Sequence, residues 1–191
     1  SSDVCSSDLF QHKYAAETYY LWSGGGWVYF SKDVYQYYSN GYQIQNLERY
    51  DWNSSYNQWD SLERWAYAYN VDSLASRIKL VPHAGNWWQS TKETFSYSST
   101  PFLLTLYSLQ DYDTSVMPPV WKDNRKIVYT YNTADKLLKT HKTKYTPIGW
   151  VDEARDERIY NASDQLIEYF DENYLRAWSN HTRSTFTYAG T

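Results

Sequence analysis

The 191-residue chain contains one cysteine, one methionine, five prolines and seven glycines, and aliphatic residues are scarce. A single cysteine, Cys5, excludes an intramolecular disulfide. No apolar run approaches the roughly 18 residues that a membrane-spanning helix requires, so we expect no membrane insertion. The 18 Lys and Arg residues form no block and are scattered among 22 Asp and Glu. Because a phosphate backbone is recognised by clustered cations, we expect no nucleic-acid partner.

The motifs of common catalytic and metal sites are also missing. The sequence has no Gly-rich phosphate loop, no Gly-x-Ser-x-Gly motif and no Asp-x-Asp-x-Asp-Gly calcium loop. Four histidines are too widely spaced to be read as ligands, and the densest carboxylates, at 111–113 and 152–157, are read as solvated strand edges and turns. The histidines are His12, His83, His141 and His181. We therefore expect no enzyme activity, no metal and no cofactor.

Aromatic residues are abundant and make up 20% of the chain, with 22 Tyr and 10 Trp, although the mean hydropathy is only -0.77. Tyrosine and tryptophan cover a large apolar area while keeping a polar tip in water. This composition suits a thin, half-solvated sheet better than a globule with a thick aliphatic core.

The aromatic residues follow a pattern that occurs six times. A tryptophan (position zero) is followed by Lys or Arg at position five and by Tyr at position ten. Position eight is aromatic in five copies, and Arg158 is the exception. The tryptophans are 32, 28, 34, 29 and 28 residues apart, which indicates a tandem repeat of about 30 residues. Such arrays fold unit upon unit and usually function through an extended surface.

The repeat divides the chain into three parts. Residues 1–9 contain Ser-Ser-Asp twice and resemble a translated sequencing adapter, so we read them as a non-native leader, with a natural Ser-rich leader as the alternative. Residues 10–26 are interpreted as the tail of an upstream repeat and a connector. Residues 27–191 hold six repeats starting at 27, 59, 87, 121, 150 and 178, the last one truncated. We expect the native protein to extend beyond both ends.

Alternation within a repeat predicts β-strands. Trp65, Tyr67 and Tyr69 alternate with small or charged residues, and successive strand residues point to opposite faces. Strict alternation puts the tryptophan and positions eight and ten on one face and the basic residue on the other. Turn residues such as those at 132–135 and 161–164 follow, and then a second strand, so each repeat is a hairpin. We predict an all-β fold of tandem hairpins in an elongated, twisted or spiralled antiparallel sheet, and favour it over a six-bladed propeller.

The strings at 50–59 (YDWNSSYNQW) and 85–92 (GNWWQSTK) look like the Trp/Tyr-rich tandem repeats of secreted Bacteroidota proteins, which read roughly W-x4-K-x2-Y-x-Y-D. The resemblance covers about residues 22–191, although the glycine turn of that pattern survives only at Asn40-Gly41. The array is more distantly similar to YD-repeat (Rhs-like) sheets. The resemblance implies an extracellular or cell-surface β-repeat protein, often exported with a C-terminal sorting domain.

The aromatic residues at positions eight and ten have two interpretations. They are either cross-strand ladders that hold the sheet together or a platform that binds sugar rings. The basic residue at position five is either a solvated charge or a cation–π cap on a neighbouring ring. The candidate ligand-binding row consists of Tyr35, Tyr37, Tyr67, Tyr69, Phe95, Tyr97, Tyr129, Tyr131, Tyr160, Phe186 and Tyr188.

Three functions remain open at this level. The first is a noncatalytic structural or adhesive segment of a secreted or cell-surface bacterial protein, with glycans or other surface proteins as partners. The second is a carbohydrate-binding module that uses the aromatic row. The third is the shell or scaffold of a toxin or enzyme carried elsewhere in a longer chain. Arg158, which breaks the pattern, is read as repeat divergence and is the first place to look for anything more.

Overall fold

The computed structural model describes residues 15–174 and 177–188. The side chains of residues 180 and 181 are also outside what it describes. The predictions for the leader at 1–9 and for His12 therefore lie outside the described residues, as does the prediction for the His181 side chain.

The described residues form strands and contain no helix. Within residues 16–83 and within residues 104–185, each described strand is hydrogen bonded to its neighbours in the chain, and these nine pairs are antiparallel. The prediction of an all-β fold of successive antiparallel hairpins is confirmed. The strands are β1 (Ala16–Ser23), β2 (Gly26–Tyr37), β3 (Ile44–Asn53), β4 (Gln58–Asn70), β5 (Ser73–His83), β6 (Asn86–Tyr97), β7 (Leu104–Asp113), β8 (Val120–Tyr131), β9 (Leu137–Thr146), β10 (Gly149–Tyr160), β11 (Leu166–Tyr174) and β12 (Trp178–Thr185).

Two of the turns within repeats are built by asparagine side chains. The Asn161 side-chain oxygen accepts hydrogen bonds from the backbone N–H groups of Ser163 and Gln165, at 2.9 and 3.0 Å. Asn132 makes the same pair of bonds in the preceding repeat. In both turns an aspartate, Asp164 or Asp135, takes a positive φ that Asp tolerates better than most residues. The turn predictions made from these residues therefore have a local physical cause.

The chain divides into two compact units, residues 1–92 and residues 93–191. The first unit contains β1–β5, the second contains β7–β12, and β6 runs across the boundary.

No large hydrophobic side chain is buried in the described parts of the chain. The residues with the least exposed surface are polar, and three of them are glutamates: Asp33, Gln43, Glu63, Glu93, Thr140 and Glu172. A fold without an apolar interior must draw its stability from contacts between neighbouring strands, where each good cross-strand pair contributes roughly 0.2–1 kcal/mol.

One residue is inserted at position three of the tryptophan strands, and it changes which side chains share a face. In β10, Asp152 faces Thr143 while Arg155 faces His141, and Glu153 has no partner of its own. Thr143 and His141 are two residues apart and lie on the same face, so Asp152 and Arg155 also share a face although they are three apart. The same shift occurs in β2, β4, β8 and β12, where the inserted residues are Phe30, Leu62, Asn124 and His181.

The face assignment made from strict alternation is therefore wrong. The tryptophan and the basic residue at position five lie together, on what we call the tryptophan face. Positions six, eight and ten lie on the opposite side, which we call the tyrosine face. A β-bulge sets two residues against one, so every side chain beyond it changes face relative to simple alternation.

Candidate binding surfaces

Each tryptophan of five repeats contacts an aromatic residue on the strand before it. The contacts have closely similar geometry, with ring centroids 4.9–5.3 Å apart and rings inclined by 57–75°. Such tilted and edge-to-face arrangements are the favoured ones for aromatic pairs. These aromatic partners are not part of the repeat pattern. Each faces its tryptophan across the hairpin loop, so its position in the sequence follows from the length of that loop. The partners are Trp22, Trp52, Tyr112, Tyr145 and Tyr174.

In three repeats the cation at position five lies over the tryptophan of the next repeat. The Lys126 Nζ is 4.0 Å from the ring centroid of Trp150, and the Arg155 guanidinium is 4.3 Å from that of Trp178. In the first unit the Arg64 guanidinium is 4.6 Å from the Trp87 ring. These contacts favour the cation–π interpretation of position five over a purely solvated charge, and each is worth about 0.5–2 kcal/mol depending on its desolvation.

Carboxylates hold two of these guanidinium groups in place. Arg64 pairs with Glu48 and Arg155 pairs with Glu172, each on an adjacent strand. The hydrogen bond with Glu172 raises the pKa of Arg155 above its ordinary value. Arg64 and Arg155 thus each contact both a carboxylate on a neighbouring strand and a tryptophan ring in the following repeat.

The first strands of the chain carry an exposed aromatic cluster on the tryptophan face. The Tyr29 ring lies 5.2 Å from Tyr20 and 5.4 Å from Trp59. Trp22 and Trp27 complete the patch with 61% and 70% of their surface exposed. Exposed flat rings of this kind suit stacking contacts with a ligand or another protein. We call Tyr20, Trp22, Trp27, Tyr29, Trp52 and Trp59 the amino-terminal aromatic cluster.

The row proposed from the sequence is mostly half-buried. Phe186 and Tyr188 are exposed, at 42% and 47%, whereas the members on the strands are only partly accessible. The structure brings Tyr35 and Tyr37 together with ring centroids 6.4 Å apart. Three other members of the row contact rings outside it: Tyr69 with Tyr38, Phe95 with Tyr107 and Tyr97 with Phe102.

Hydroxyl groups at position ten connect successive repeats. The hydroxyl of Tyr131 donates to the Leu104 carbonyl at 2.9 Å, and that of Tyr160 donates to the Leu137 carbonyl at 3.1 Å. Tyr188 makes the equivalent bond with the Leu166 carbonyl, and Tyr69 is hydrogen bonded to the backbone of Ile44. These hydroxyls are therefore engaged by the protein itself, so sugar binding by the row would depend on ring faces and edges.

The tyrosine face of the first unit carries a ladder of alternating charges. Arg49 binds Asp33 through two bonds of 2.9 and 3.1 Å and binds Glu63 at 3.1 Å. The Lys79 Nζ lies 2.5 Å from the other oxygen of Glu63. Burial alone would raise the pKa of Glu63, but the bonds from Lys79 and Trp65 outweigh it and the pKa is lowered. We call Asp33, Arg49, Glu63 and Lys79 the charge ladder; no pattern in the sequence predicts it.

Arg158, the break in the repeat pattern, lies on the tyrosine face of the second unit. Its guanidinium pairs with Asp156 and lies 5.3 Å from the ring centroid of Tyr169 on the next strand. The side chain is only 24% exposed. Arg158 thus takes the place of an aromatic residue in cross-strand packing, and its contacts are structural.

The described histidines stand beside aromatic rings. His83 lies 4.2 Å from the ring of Trp88, and His141 is hydrogen bonded to Asp152 at 2.7 Å and lies 5.9 Å from the ring of Trp178. Within residues 15–174 and 177–188, no three His, Cys, Asp or Glu side chains converge as metal ligands. The same residues include no helix of the length and apolarity needed to cross a membrane.

No protein-family model matches the chain, and no curated protein matches it. Among solved structures, it is similar to a protein of unknown function from Bacteroides fragilis NCTC 9343, with a TM-score of 0.50 and 10% identity over 81% of this chain and 91% of that one. A DUF3836 family protein from Bacteroides vulgatus ATCC 8482 gives a TM-score of 0.36 and 11% identity over 65% of this chain and 98% of that one. At this identity the first likeness shows the fold alone, an antiparallel all-β sheet shared with a Bacteroides protein.

Proposed function

We propose that the chain is a noncatalytic structural or adhesive repeat segment of a secreted or cell-surface bacterial protein. The observation that carries the proposal is the contact between the position-five cation of one repeat and the tryptophan of the next, as in Lys126 with Trp150. The residues that define the repeat are thereby engaged in joining one hairpin to another. The surface location rests on the resemblance to secreted Bacteroidota repeats, and the more distant YD-repeat likeness belongs to the same proposal.

Contacts on the opposite face support the same function. The charge ladder crosses four strands, and the position-ten hydroxyls bind carbonyl groups of the preceding repeat. These side chains have the chemistry that a binding or catalytic site would use, but they are hydrogen bonded to their neighbours. A stack of hairpins joined in this way is suited to carrying load or presenting a surface.

A matched pair of substitutions tests the structural role of the signature. Lys126→Gln removes the cation from Trp150 and should lower the free energy of unfolding by about 0.5–1 kcal/mol. Lys136→Gln removes an exposed cation from a turn and should leave it unchanged. Urea denaturation measures both. Equal stability of the two variants would contradict the structural role.

Catalysis is tested separately, with the purified chain and panels of polysaccharide, peptide and ester substrates. The proposal expects no turnover. Turnover that disappears in a single-residue variant with unchanged melting temperature would overturn it.

Carbohydrate binding is the second candidate, and the amino-terminal aromatic cluster is the observation that favours it. Trp22 and Trp27 present wide, exposed ring faces, whereas the row at positions eight and ten is half-buried. Aromatic faces stack readily on apolar ring surfaces of ligands. In this candidate the cluster, rather than the row alone, contacts the sugar.

A glycan array compares the two surfaces. The double variant W22A/W27A should lose binding while keeping its circular dichroism spectrum, because both rings are exposed. The matched variant Y67A/Y69A removes two half-buried rings and should lose stability as well as any binding. Absence of binding by the unaltered chain on a broad array would exclude this candidate.

A further inference from the structure

Among the described residues of the second unit, the tryptophan face carries three aromatic pairs at equal intervals. Each pair lies beside a loop between repeats and joins a repeat tryptophan to a tyrosine on the preceding strand: Tyr112 with Trp121, Tyr145 with Trp150 and Tyr174 with Trp178. Successive pairs are two strands apart, which corresponds to about 10 Å because neighbouring strands lie about 4.8 Å apart. The pairs therefore form a row that runs across the strands.

An aspartate lies beside the tryptophan in two of these pairs. Asp123 and Asp152 occupy position two of their repeats, so each shares a face with its tryptophan and lies about 7 Å further along the strand. The other repeats have no carboxylate at this position, which is occupied by Tyr29, Ser61, Gln89 and Asn180. The fourth and fifth repeats thus share a feature that does not belong to the six-copy pattern.

Each of these aspartates is held through one oxygen. The Gln110 side-chain amide donates to Asp123 Oδ1 at 3.0 Å, and His141 Nε2 lies 2.7 Å from Asp152 Oδ1. Within the described part of the chain, no hydrogen bond reaches the Oδ2 atom of either aspartate. The Asp152 side chain is 34% exposed and Asp123 is half-buried, so both carboxylates can accept hydrogen bonds from a ligand.

An aromatic ring and a carboxylate side by side are suited to one sugar ring. The apolar face of the sugar packs on the aromatic ring, and a hydroxyl group at its edge donates to the carboxylate. Tyr145 offers the more open ring, at 49% exposed, and Tyr112 is half-buried. We call Tyr112, Trp121 and Asp123 the first subsite, and Tyr145, Trp150 and Asp152 the second subsite.

The charges on this face favour a neutral sugar over an acidic one. Asp123 and Asp152 repel carboxylate and sulfate groups, because like charges brought together at a binding surface are unfavourable. Two cations of the same face are already engaged within the protein, since Lys126 lies over Trp150 and Arg155 is paired with Glu172. The available groups are therefore hydrogen-bond acceptors, which match the hydroxyl groups of an uncharged sugar.

We propose that the tryptophan face of the second unit binds a neutral polysaccharide whose chain crosses the strands, with one sugar ring in each subsite. The interval of about 10 Å between the subsites is close to the length of two sugar rings joined end to end, so alternate rings of an extended chain occupy the two subsites. This binding site goes beyond the proposed structural role. It also differs from the amino-terminal aromatic cluster, which belongs to the first unit.

Affinity electrophoresis of the full 191-residue chain tests the site, in gels that contain hydroxyethyl cellulose, galactomannan, xyloglucan or acidic polygalacturonate. The unaltered chain should bind at least one of the three neutral polysaccharides and should not bind polygalacturonate. Asp123→Asn and Asp152→Asn should each weaken binding about tenfold or more, because an amide accepts weaker hydrogen bonds than a carboxylate. Asp135→Asn makes the same change in an exposed turn and should bind like the unaltered chain. Circular dichroism of each variant separates loss of binding from unfolding.

Four results would overturn the proposal. The first is the absence of binding to all three neutral polysaccharides, and the second is binding that both aspartate variants retain in full. The third is binding of polygalacturonate alone, which would exclude a neutral ligand. The fourth is binding that W22A/W27A loses while D123N and D152N keep it, which would assign the sugar to the amino-terminal aromatic cluster.

Oligosaccharides cut from the polysaccharide that binds test whether the two subsites act together. In isothermal titration calorimetry, an oligomer long enough to cover both subsites should bind the unaltered chain at least about tenfold more tightly than a disaccharide, because the second contact forms within the same complex. Either aspartate variant should lose most of this gain and keep disaccharide affinity within about twofold, since one subsite stays intact. Affinity that does not depend on oligomer length would overturn the two-subsite arrangement, even if a variant failed to fold.

Discussion

The first hairpin, β1–β2, and the hairpin β9–β10 carry the same aromatic pair in different surroundings. Trp22 and Trp27 have ring centroids 5.3 Å apart and an angle of 75°, and Tyr145 and Trp150 have 5.3 Å and 70°. Yet Trp27 is 70% exposed, whereas Trp150 is half-buried beneath Lys126. The hairpin geometry is thus local, and the environment of the tryptophan depends on the repeat that precedes it.

The two halves of β2 also differ in how much of their side-chain surface is exposed. Asp33 is only 4% exposed because Arg49 binds it from β3, although Phe30, three residues earlier, is 52% exposed. The side chains of one strand can therefore be buried at one end and exposed at the other, depending on the partners that neighbouring strands supply.

The largest expected effect comes from removing the ion pairs that Arg49 makes with Asp33 and Glu63. Arg49→Met keeps the aliphatic stem but leaves Asp33 and Glu63 without their shared cation. Removing one partner of a poorly solvated pair is costly, and because Arg49 is 41% exposed we expect a loss of about 2–3 kcal/mol. Urea denaturation measures it. Lys122→Met, at a 58% exposed side chain, is the control, and an equal loss there would contradict the comparison.

Replacing Trp150 and Trp27 separately compares a tryptophan covered by a cation with an exposed tryptophan. Trp150→Ala should lower the free energy of unfolding by about 2 kcal/mol, since a half-buried ring loses its packing with Tyr145 and Lys126. Trp27→Ala should cost less than about 1 kcal/mol, because most of that ring is already in water. Thermal and urea unfolding of both variants provide the measurement. Similar losses in the free energy of unfolding would mean that the contacts a tryptophan makes with the preceding repeat contribute little to stability.

Acid should weaken the charge ladder. The pKa of Glu63 is lowered from its ordinary value of 4.5, so its contribution is fully present above that value and is lost as the pH falls through the folded-state pKa. We expect a decline in stability below about pH 4.5 that is shallower in Glu63→Gln. Denaturation at a series of pH values measures both slopes, and identical slopes would exclude a role for Glu63.

A smaller effect than those of Arg49→Met and Trp150→Ala is expected from the hydroxyl bonds between repeats. Tyr131→Phe keeps the ring and removes the bond to the Leu104 carbonyl, which should cost about 0.5–1.5 kcal/mol. Tyr56→Phe, at a 74% exposed loop residue, is the control and should cost nothing measurable. Equal stabilities in urea would show that the position-ten hydroxyls do not stabilise the array.

Much of the fold could be read from the residues in order. The hairpins follow from the alternation around Tyr67 and Tyr69 and from turn residues such as Asn161, because strand period and turn chemistry act over a few residues. The charge ladder could not be found in this way, since Asp33, Arg49 and Glu63 come together only when three strands are in register.

The sequence by itself determined that the chain is a series of aromatic-rich hairpins, because its repeat spacing and alternation are local signals. Only the tertiary structure decided which side chains share a face, because one inserted residue such as Glu153 reverses the alternation beyond it. It also decided which cation meets which ring. Lys126 reaches Trp150 across an intervening strand, over about 10 Å of sheet, and that distance is set by strand pairing rather than by spacing in the chain.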